Sequence, residues 1–264
     1  MDREATDLAG VRHLAYETLG STNAEALALA RAGERGPLWV CAQRQSAGRG
    51  RRGRTWMSAP GNLSASLLLY APAPAANAAE LSFVAALAVR DAIAEAAPAL
   101  ERRLTFKWPN DVLLAGEKAA GILIEGDAVR GEAAAVVVGI GVNCASHPVE
   151  AAFPATDLRA HGVEIGPQRL LESLAAAMAT RLAQWDRGRG FAETRRAWLA
   201  AAHAIGTPIR VSDIGRERSG RFAGLDASGR LLLDLPDGGR EEIAAGDVFP
   251  LTPRGGPHEP VLRG

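Results

Sequence analysis

The chain has little cysteine, no excess of either charge and no long apolar run. Its cysteines number 2, Cys41 and Cys144, and they sit in separate apolar segments far apart. That excludes a disulfide framework and a cysteine-rich metal cluster, and it is the pattern of reduced core residues. Basic and acidic residues balance at 30 each, so the broad positive field of a general nucleic-acid binder is missing. No apolar stretch approaches the roughly 20 residues needed to cross a bilayer. Met1 to Gly10 is polar and acidic rather than charged and then apolar. A cytoplasmic protein without a membrane partner is therefore expected. His147 and His161 fall in a Pro-containing connection with nothing nearby to make a nucleophile or metal-ligand set, so they read as surface residues. Nucleophilic catalysis by a Ser-His or Cys-His arrangement has no candidate.

What is present is enough for one substantial core and a smaller module: 264 residues, 47% hydrophobic. The organising stretch is Gln45-Ser46-Ala47-Gly48-Arg49-Gly50-Arg51-Arg52-Gly53-Arg54-Thr55-Trp56. Arginines alternate with glycines in a segment poorly suited to helix or strand, so it offers guanidinium and backbone N–H groups to an anion. Gly48, Gly50 and Gly53 also spell the dinucleotide fingerprint GxGxxG, which requires a following helix and an acidic residue about 20 positions on. Residues 54–61 cannot open a helix and no Asp or Glu lies between Gly53 and Glu80, so that reading is rejected.

The flanking elements follow from period and punctuation. Val11 to Tyr16 reads as a strand. Ser21-Thr22-Asn23 opens a helix running to Ala32, with Thr22 and Glu25 at capping-box spacing. Leu38 to Gln43 and Leu63 to Tyr70 read as strands joined by the Arg-Gly loop. Ala78 to Ala97 is a core-facing helix ended by Pro98. Leu104 to Leu114 contains Lys107-Trp108-Pro109-Asn110-Asp111, good turn chemistry but an unusually polar way to enter a core. Ala115 to Lys118 reads as a hairpin turn leading into Ile122–Ile124. Ala133 to Val138 is a buried strand ending in Gly139-Ile140-Gly141-Val142-Asn143, whose glycines leave room for a ligand or another backbone. Helical spacing returns at Leu170 to Trp185 and again at Phe191 to Ala202. Beyond Gly206, short strand-like runs at 207–211, 221–225, 230–235 and 241–243 alternate with Gly-bearing turns, the pattern of a small SH3-like barrel. The expected division is 1–204, 205–252 and a tail at 253–264.

Each of these motifs alone has a bland explanation. Their combination and order resemble the biotin protein ligase family, the biotin–[acetyl-CoA-carboxylase] ligases, over roughly residues 11 to 250. The resemblance rests on Ser-Thr-Asn at a helix start, Gln-x-x-Gly-Arg-Gly-Arg-Arg-Gly-Arg-x-Trp, Lys-Trp-Pro-Asn-Asp, Lys-x-x-Gly-Ile-Leu-x-Glu and Gly-x-Gly-x-Asn. It implies an α+β fold, a mixed-sheet catalytic domain with helices on one face followed by the SH3-like barrel. It also implies that biotin and MgATP form biotinyl-5′-AMP, and that the biotinyl group then passes to a lysine of the biotin carboxyl carrier protein of acetyl-CoA carboxylase.

By the same resemblance, Ser21, Thr22, Asn23 and Gln45 hold the ureido end of biotin, and Gly48, Arg49, Gly50 and Arg51 close over biotin and phosphate. Arg54, Trp56, Lys107, Asn110 and Asn143 face ATP or the adenylate. Lys118 stands between the biotin carboxylate and the α-phosphate, and Lys118, Arg51 and Asp111 form the catalytic set. ATP, Mg²⁺ and biotin are the implied small molecules, with no direct magnesium ligand assigned. About 20 residues precede Ser21, too few for a helix-turn-helix, so no DNA partner is expected. A monomer or weak homodimer is expected. Alternatives of other kinds are a lipoate or octanoate ligase or transferase of similar fold, an RNA-binding module using the Arg-Gly loop, and a non-catalytic ligand-binding protein.

Overall fold

The computed structural model describes residues 4–128, 134–213 and 215–251. An eight-stranded sheet has the order β1-β2-β3-β4-β8-β7-β6-β5. Its strands are β1 (Glu4–Leu8), β2 (Val11–Leu19), β3 (Leu38–Gln45), β4 (Leu63–Tyr70), β5 (Leu104–Lys107), β6 (Asp111–Leu114), β7 (Glu117–Ala128) and β8 (Ala134–Val142). The pair β2 and β3 is parallel, with helix α1 (Thr22–Arg31) as its crossover, and the other neighbours are antiparallel. The sheet is therefore mixed. Strand β1 has a polar composition, EATDL, and no apolar alternation announces it.

Side-chain alternation along the central strands feeds two cores. Trp39, Cys41, Leu63, Leu67, Val138 and Ile140 face α2 (Leu81–Ala96), α3 (Pro167–Trp185) and α4 (Phe191–Leu199). Leu38, Val40, Leu68 and Val137 face the other way and meet Ala26, Leu27 and Ala30 of α1. Helices on one face thus describes α2 to α4, while α1 covers the opposite face because its crossover connects β2 and β3 there. Helix α2 is buried nearly all round, which its unbroken apolar run Phe83–Val89 requires. Phe83 packs edge-on against Phe191 and Trp198, and Trp198 stacks on Phe106 at 5.6 Å.

Ser21, rather than Thr22, caps α1. Its backbone is extended and its hydroxyl accepts from Ala24 N at 3.4 Å, whereas Thr22 is already the first helical residue. Both cysteines are free and buried; burial pushes the Cys144 thiol up to about 11 and raises Cys41 as well. His147 and His161 do find partners. His147 Nδ1 lies 2.7 Å from Asp157, and His161 meets Arg103 and Thr156, partners that only the folded connection brings near.

The remaining strands, β9 (Pro208–Asp213), β10 (Arg216–Leu225), β11 (Leu231–Asp234), β12 (Arg240–Ile243) and β13 (Asp247–Pro250), form an antiparallel sheet ordered β12-β11-β10-β9-β13. Its inward residues Ile209, Val211, Phe222, Leu231 and Leu233 join the α2 core, and Trp108 Nε1 donates to Gly229 O at 3.0 Å across the junction. The tail at 253–264 lies outside the described residues. Among the described residues no helix is long and apolar enough to cross a membrane.

Candidate active site

The α1 face of the large sheet carries a cavity of about 510 Å³, and strand parity decides what lines it. On β8, Val138, Ile140 and Val142 point to the α2 side, so Gly139 and Gly141 face the cavity. Across the ladder Gly141 pairs with Gly121 of β7, and the indole of Trp56 lies on this glycine floor. A Cβ on Gly141 would stand 2.4 Å from the indole, and one on Gly121 3.0 Å from it. Gly139 serves the neighbouring position, where a Cβ would stand 2.3 Å from Asn23 Oδ1. The room expected at these glycines is taken by side chains of the protein itself.

Lys118 and Gly121 are three apart and would face opposite sides of a regular strand. They share the cavity because β7 bulges against β6: Val112 pairs with Ala120 but Leu113 with Lys118. Ala119 and Ala120 both turn into the core, and the parity flips. Lys118 therefore belongs to a strand, not to the turn before it. That turn is formed by Ala115 and Gly116, with φ of 55° and 86°.

One end of the cavity is a polar slot. Gln45 Oε1 accepts from the Thr22 amide at 2.8 Å and its hydroxyl at 3.1 Å, and Gln45 Nε2 donates to Ser58 Oγ at 2.7 Å. Fully buried Ser66 on β4 has one proton to give and lies 2.7 Å from Thr22 Oγ1 and 2.6 Å from Asn23 Oδ1. Ser21 joins the same wall. Such an end recognises a ligand by a few convergent donors and acceptors in an otherwise apolar surround.

The middle of the cavity is cationic. Asp111 is buried between Lys107 at 2.7 Å and Lys118 at 2.6 Å. Burial alone would raise its carboxyl, but the ammonium groups of Lys118 and Lys107 outweigh that and hold it down to about 2. The carboxylate stays ionised and the triad keeps one net positive charge. Lys118 Nζ also stands 5.4 Å over the Trp56 ring.

The Arg-Gly segment folds back on itself as an irregular hairpin rather than an open loop. Arg49 bridges Thr55, Trp56 N donates to Gly48 O at 2.9 Å, and a turn at Arg51–Gly53 sets Arg52 at φ 57°. Its arginines are met by carboxylates distant in the chain. Arg54 meets Asp247 of β13 at 2.8 Å, Arg52 meets Asp213 and Asp247, and Arg51 reaches Asn110 Oδ1 and Gly246 O at 3.2 Å each. Burial lowers the Arg51 pKa from its ordinary value, with Asp247 acting against it.

Arg49, Gly50, Arg51, Arg54 and Trp56 line the cavity with Lys107, Asn110, Asp111, Lys118 and Asn143. Gly48 stands behind it: a Cβ there would lie 2.6 Å from Trp56 O, so the residue lets the two arms of the hairpin close. Asn143 spends its amide on Thr156 O at 3.0 Å and on Lys118 O, which steadies the backbone of Lys118. Ser58, Ser66 and Asp247 carry no sequence signal beyond being polar near an apolar strand, whereas Glu125 ends the Lys-x-x-Gly-Ile-Leu-x-Glu motif, from which no role for it could be read. The carboxylates Asp111 and Asp247 are already engaged by lysines and arginines, so they do not fit a dedicated magnesium cage. Among the described residues no cluster of His, Cys, Asp or Glu is spaced for a metal.

The Biotin/lipoate A/B protein ligase family matches residues 20–143, and the Biotin protein ligase C terminal domain matches residues 204–249. The biotin–[acetyl-CoA-carboxylase] ligase of Paracoccus denitrificans is 48% identical over 236 residues, spanning 87% of this chain and 96% of that protein. The chain belongs to the biotin protein ligase family. The bifunctional ligase/repressor BirA of Bacillus subtilis is 32% identical over 241 residues, 88% of this chain and 72% of that protein. Among solved structures, the Aquifex aeolicus biotin protein ligase in complex with biotin and ATP superposes with a TM-score of 0.75 at 25% identity, covering 90% of this chain and 97% of that one. The family's mixed sheet with helices and its small SH3-like C-terminal sheet are both present here.

Proposed function

We infer that the protein is an ATP-dependent biotin ligase that makes biotinyl-5′-AMP and passes biotin to a lysine of the biotin carboxyl carrier protein of acetyl-CoA carboxylase. The observation that carries this reading is a single cavity joining a hydrogen-bonding slot, at Thr22, Asn23 and Gln45, to a cationic middle at Lys107, Asp111 and Lys118. The relatives named above, one a biotin–[acetyl-CoA-carboxylase] ligase and one solved with biotin and ATP, support it.

The chemistry needs such a cavity. A biotin carboxylate oxygen bonds to the α-phosphorus as the bond from that phosphorus to the bridging oxygen breaks, releasing pyrophosphate. Both reactants are anions, so fixed cations and fixed positions lower the barrier without a nucleophilic side chain. Lys118 is the group for the carboxylate and α-phosphate, while Arg51 and Arg54 serve the phosphates and Lys107, Asn110 and Trp56 the nucleotide. Magnesium arrives with the substrate as MgATP, held by phosphate oxygens. In the second step the neutral amine of a carrier lysine bonds to the biotinyl carbonyl carbon, the bond from that carbon to the AMP oxygen breaks, AMP leaves, and the nitrogen gives up one proton to solvent. Asp111 is too weak a base to take that proton, so its part is to hold the two lysines. This reading divides the chain into a catalytic unit, residues 1–204, and a small unit, 205–252, that supplies carboxylates to the Arg-Gly hairpin.

The test is pyrophosphate release from ATP with biotin, lipoate or octanoate as the acid, followed by transfer to a carrier domain. Release with biotin alone and labelling of one carrier lysine are expected. Release driven by lipoate would move the protein to the sister activity, and binding without release would leave a ligand-binding protein.

A further inference from the structure

Asn23 is nearly fully buried at the end of the slot, and both protons of its amide are committed inside the protein. Nδ2 donates to Leu123 O at 3.3 Å and to Glu125 Oε2 at 2.8 Å. Glu125 lies on the cavity side of β7, beyond the bulge and Gly121 in the same alternation. Its two oxygens also receive Arg49 Nη2, each at 3.2 Å, so the first arginine of the hairpin crosses the slot to the carboxylate that orients Asn23.

An asparagine amide can face either way, and only its neighbours decide. Leu123 O and an ionised Glu125 both accept and neither donates, so Nδ2 must point at them. Oδ1 is thereby turned toward Ser66 and the slot, against the bare backbone of Gly139. The slot end then offers an acceptor and demands a ligand N–H.

We propose that Glu125 is a positioning and specificity-determining residue: it fixes Asn23 as an acceptor for a cyclic-urea N–H and is the carboxylate on which Arg49 docks to close the hairpin over that end. The inference rests on the reading of the slot as the biotin end of the cavity. The Arg49–Glu125 pair is half-exposed and contributes little stability alone. Its effect is directional, because it forms only when the hairpin lies across the slot. Glutamine at 125 keeps the shape but removes the counter-charge of Arg49 and lets its own amide donate to Asn23, so the polarity of the slot is no longer imposed.

The experiment compares wild type, Glu125→Gln, Glu125→Ala, Arg49→Ala and the Arg49→Ala/Glu125→Ala double variant as full chains in biotin-dependent pyrophosphate release. Loss of a hydrogen bond to a charged group predicts a KM for biotin about tenfold or more higher in both Glu125 variants, with KM for ATP within about twofold. Adding Arg49→Ala to Glu125→Ala changes KM for biotin by less than about twofold, since the partner is already gone. Trypsin cleavage after the hairpin arginines is slowed by biotin in wild type and not in Glu125→Gln, a readout that a merely structural role would not move. Thermal melts of the variants match wild type, and biotin calorimetry repeats the affinity comparison without turnover. An unchanged KM for biotin, or equal rises in KM for biotin and ATP, in variants of an active wild type overturns the role of Glu125 and leaves the ligase reading standing. A wild type silent toward biotin in both turnover and calorimetry overturns both.

Discussion

At the residue scale the decisive group is Asp111, whose two oxygens face two different lysines in a buried setting. A carboxyl held at about 2 instead of 3.8 stabilises the fold above its unfolded value, and that stabilisation is lost as pH falls through the folded value. The expected outcome is roughly 2 kcal/mol of stability disappearing between about pH 4 and pH 2 in wild type and absent from Asp111→Asn. Urea melts across that window measure it, and matching pH profiles of the two proteins would refute the assignment. The same substitution leaves two lysines uncompensated and should lower stability at neutral pH by roughly 3 kcal/mol, the lower end for a broken buried pair because Lys118 is a quarter exposed. Lys118→Ala acts differently. It should cut adenylate formation by about a hundredfold or more while biotin binding falls far less, as expected for a charge that matters most where charge develops. Pre-steady-state pyrophosphate release set beside biotin calorimetry separates the two effects, and equal losses would make Lys118 a binding residue.

At the scale of the element, the hairpin of β6 and β7 shows how backbone irregularity aims chemistry. The bulge at Ala119–Ala120 turns Lys118 to the cavity, and the facing pair Gly121 and Gly141 leaves a flat floor for Trp56. Gly141→Ala puts a methyl 2.4 Å from the indole, so Trp56 must leave its seat. Adenylate formation should fall about tenfold or more with the fold intact, read as a shift in tryptophan emission together with slower pyrophosphate release. Unchanged emission would show that the floor does not seat the indole. Much of this site was legible because the groups that carry it are contiguous: Lys107 to Asp111 on one turn, Gly139 to Asn143 on one strand end, and the Arg-Gly segment itself. What was not legible depends on pairing. No local pattern marks the bulge, Ser66 becomes a site residue only when β4 lies beside β8, and Glu125, although it ends the Lys-x-x-Gly-Ile-Leu-x-Glu motif, meets its partners Asn23 and Arg49 only in the folded sheet. The strands β1 and β13 were missed for a related reason, since short, polar or edge-placed runs lack the alternation that reveals longer ones.

Across the whole molecule, the small sheet is tied to the chemistry through Asp247. Gly246 O and Asp247 stand at the start of β13, and Arg51, Arg52 and Arg54 converge on them from almost 200 residues away in the chain, at separations such as the 193 between Arg54 and Asp247. The small unit therefore sets where the arginines sit, and in the proposed function a triphosphate competes with its carboxylates for them. Each pair is partly exposed and weak, so together they hold the hairpin by about 1 to 2 kcal/mol, enough to position it and too little to resist a polyanion. Asp247→Asn removes the shared carboxylate while leaving its packing against β9 in place. Amide exchange across residues 48–55 should rise about five- to thirtyfold in the ligand-free protein, and biotinyl-AMP should restore protection, since the adenylate supplies the anion that Asp247 no longer does. Exchange in α2 and β4 should not change. If residues 48–55 exchange at the wild-type rate in Asp247→Asn, the hairpin is held by its own backbone bonds and the small unit has no part in presenting it.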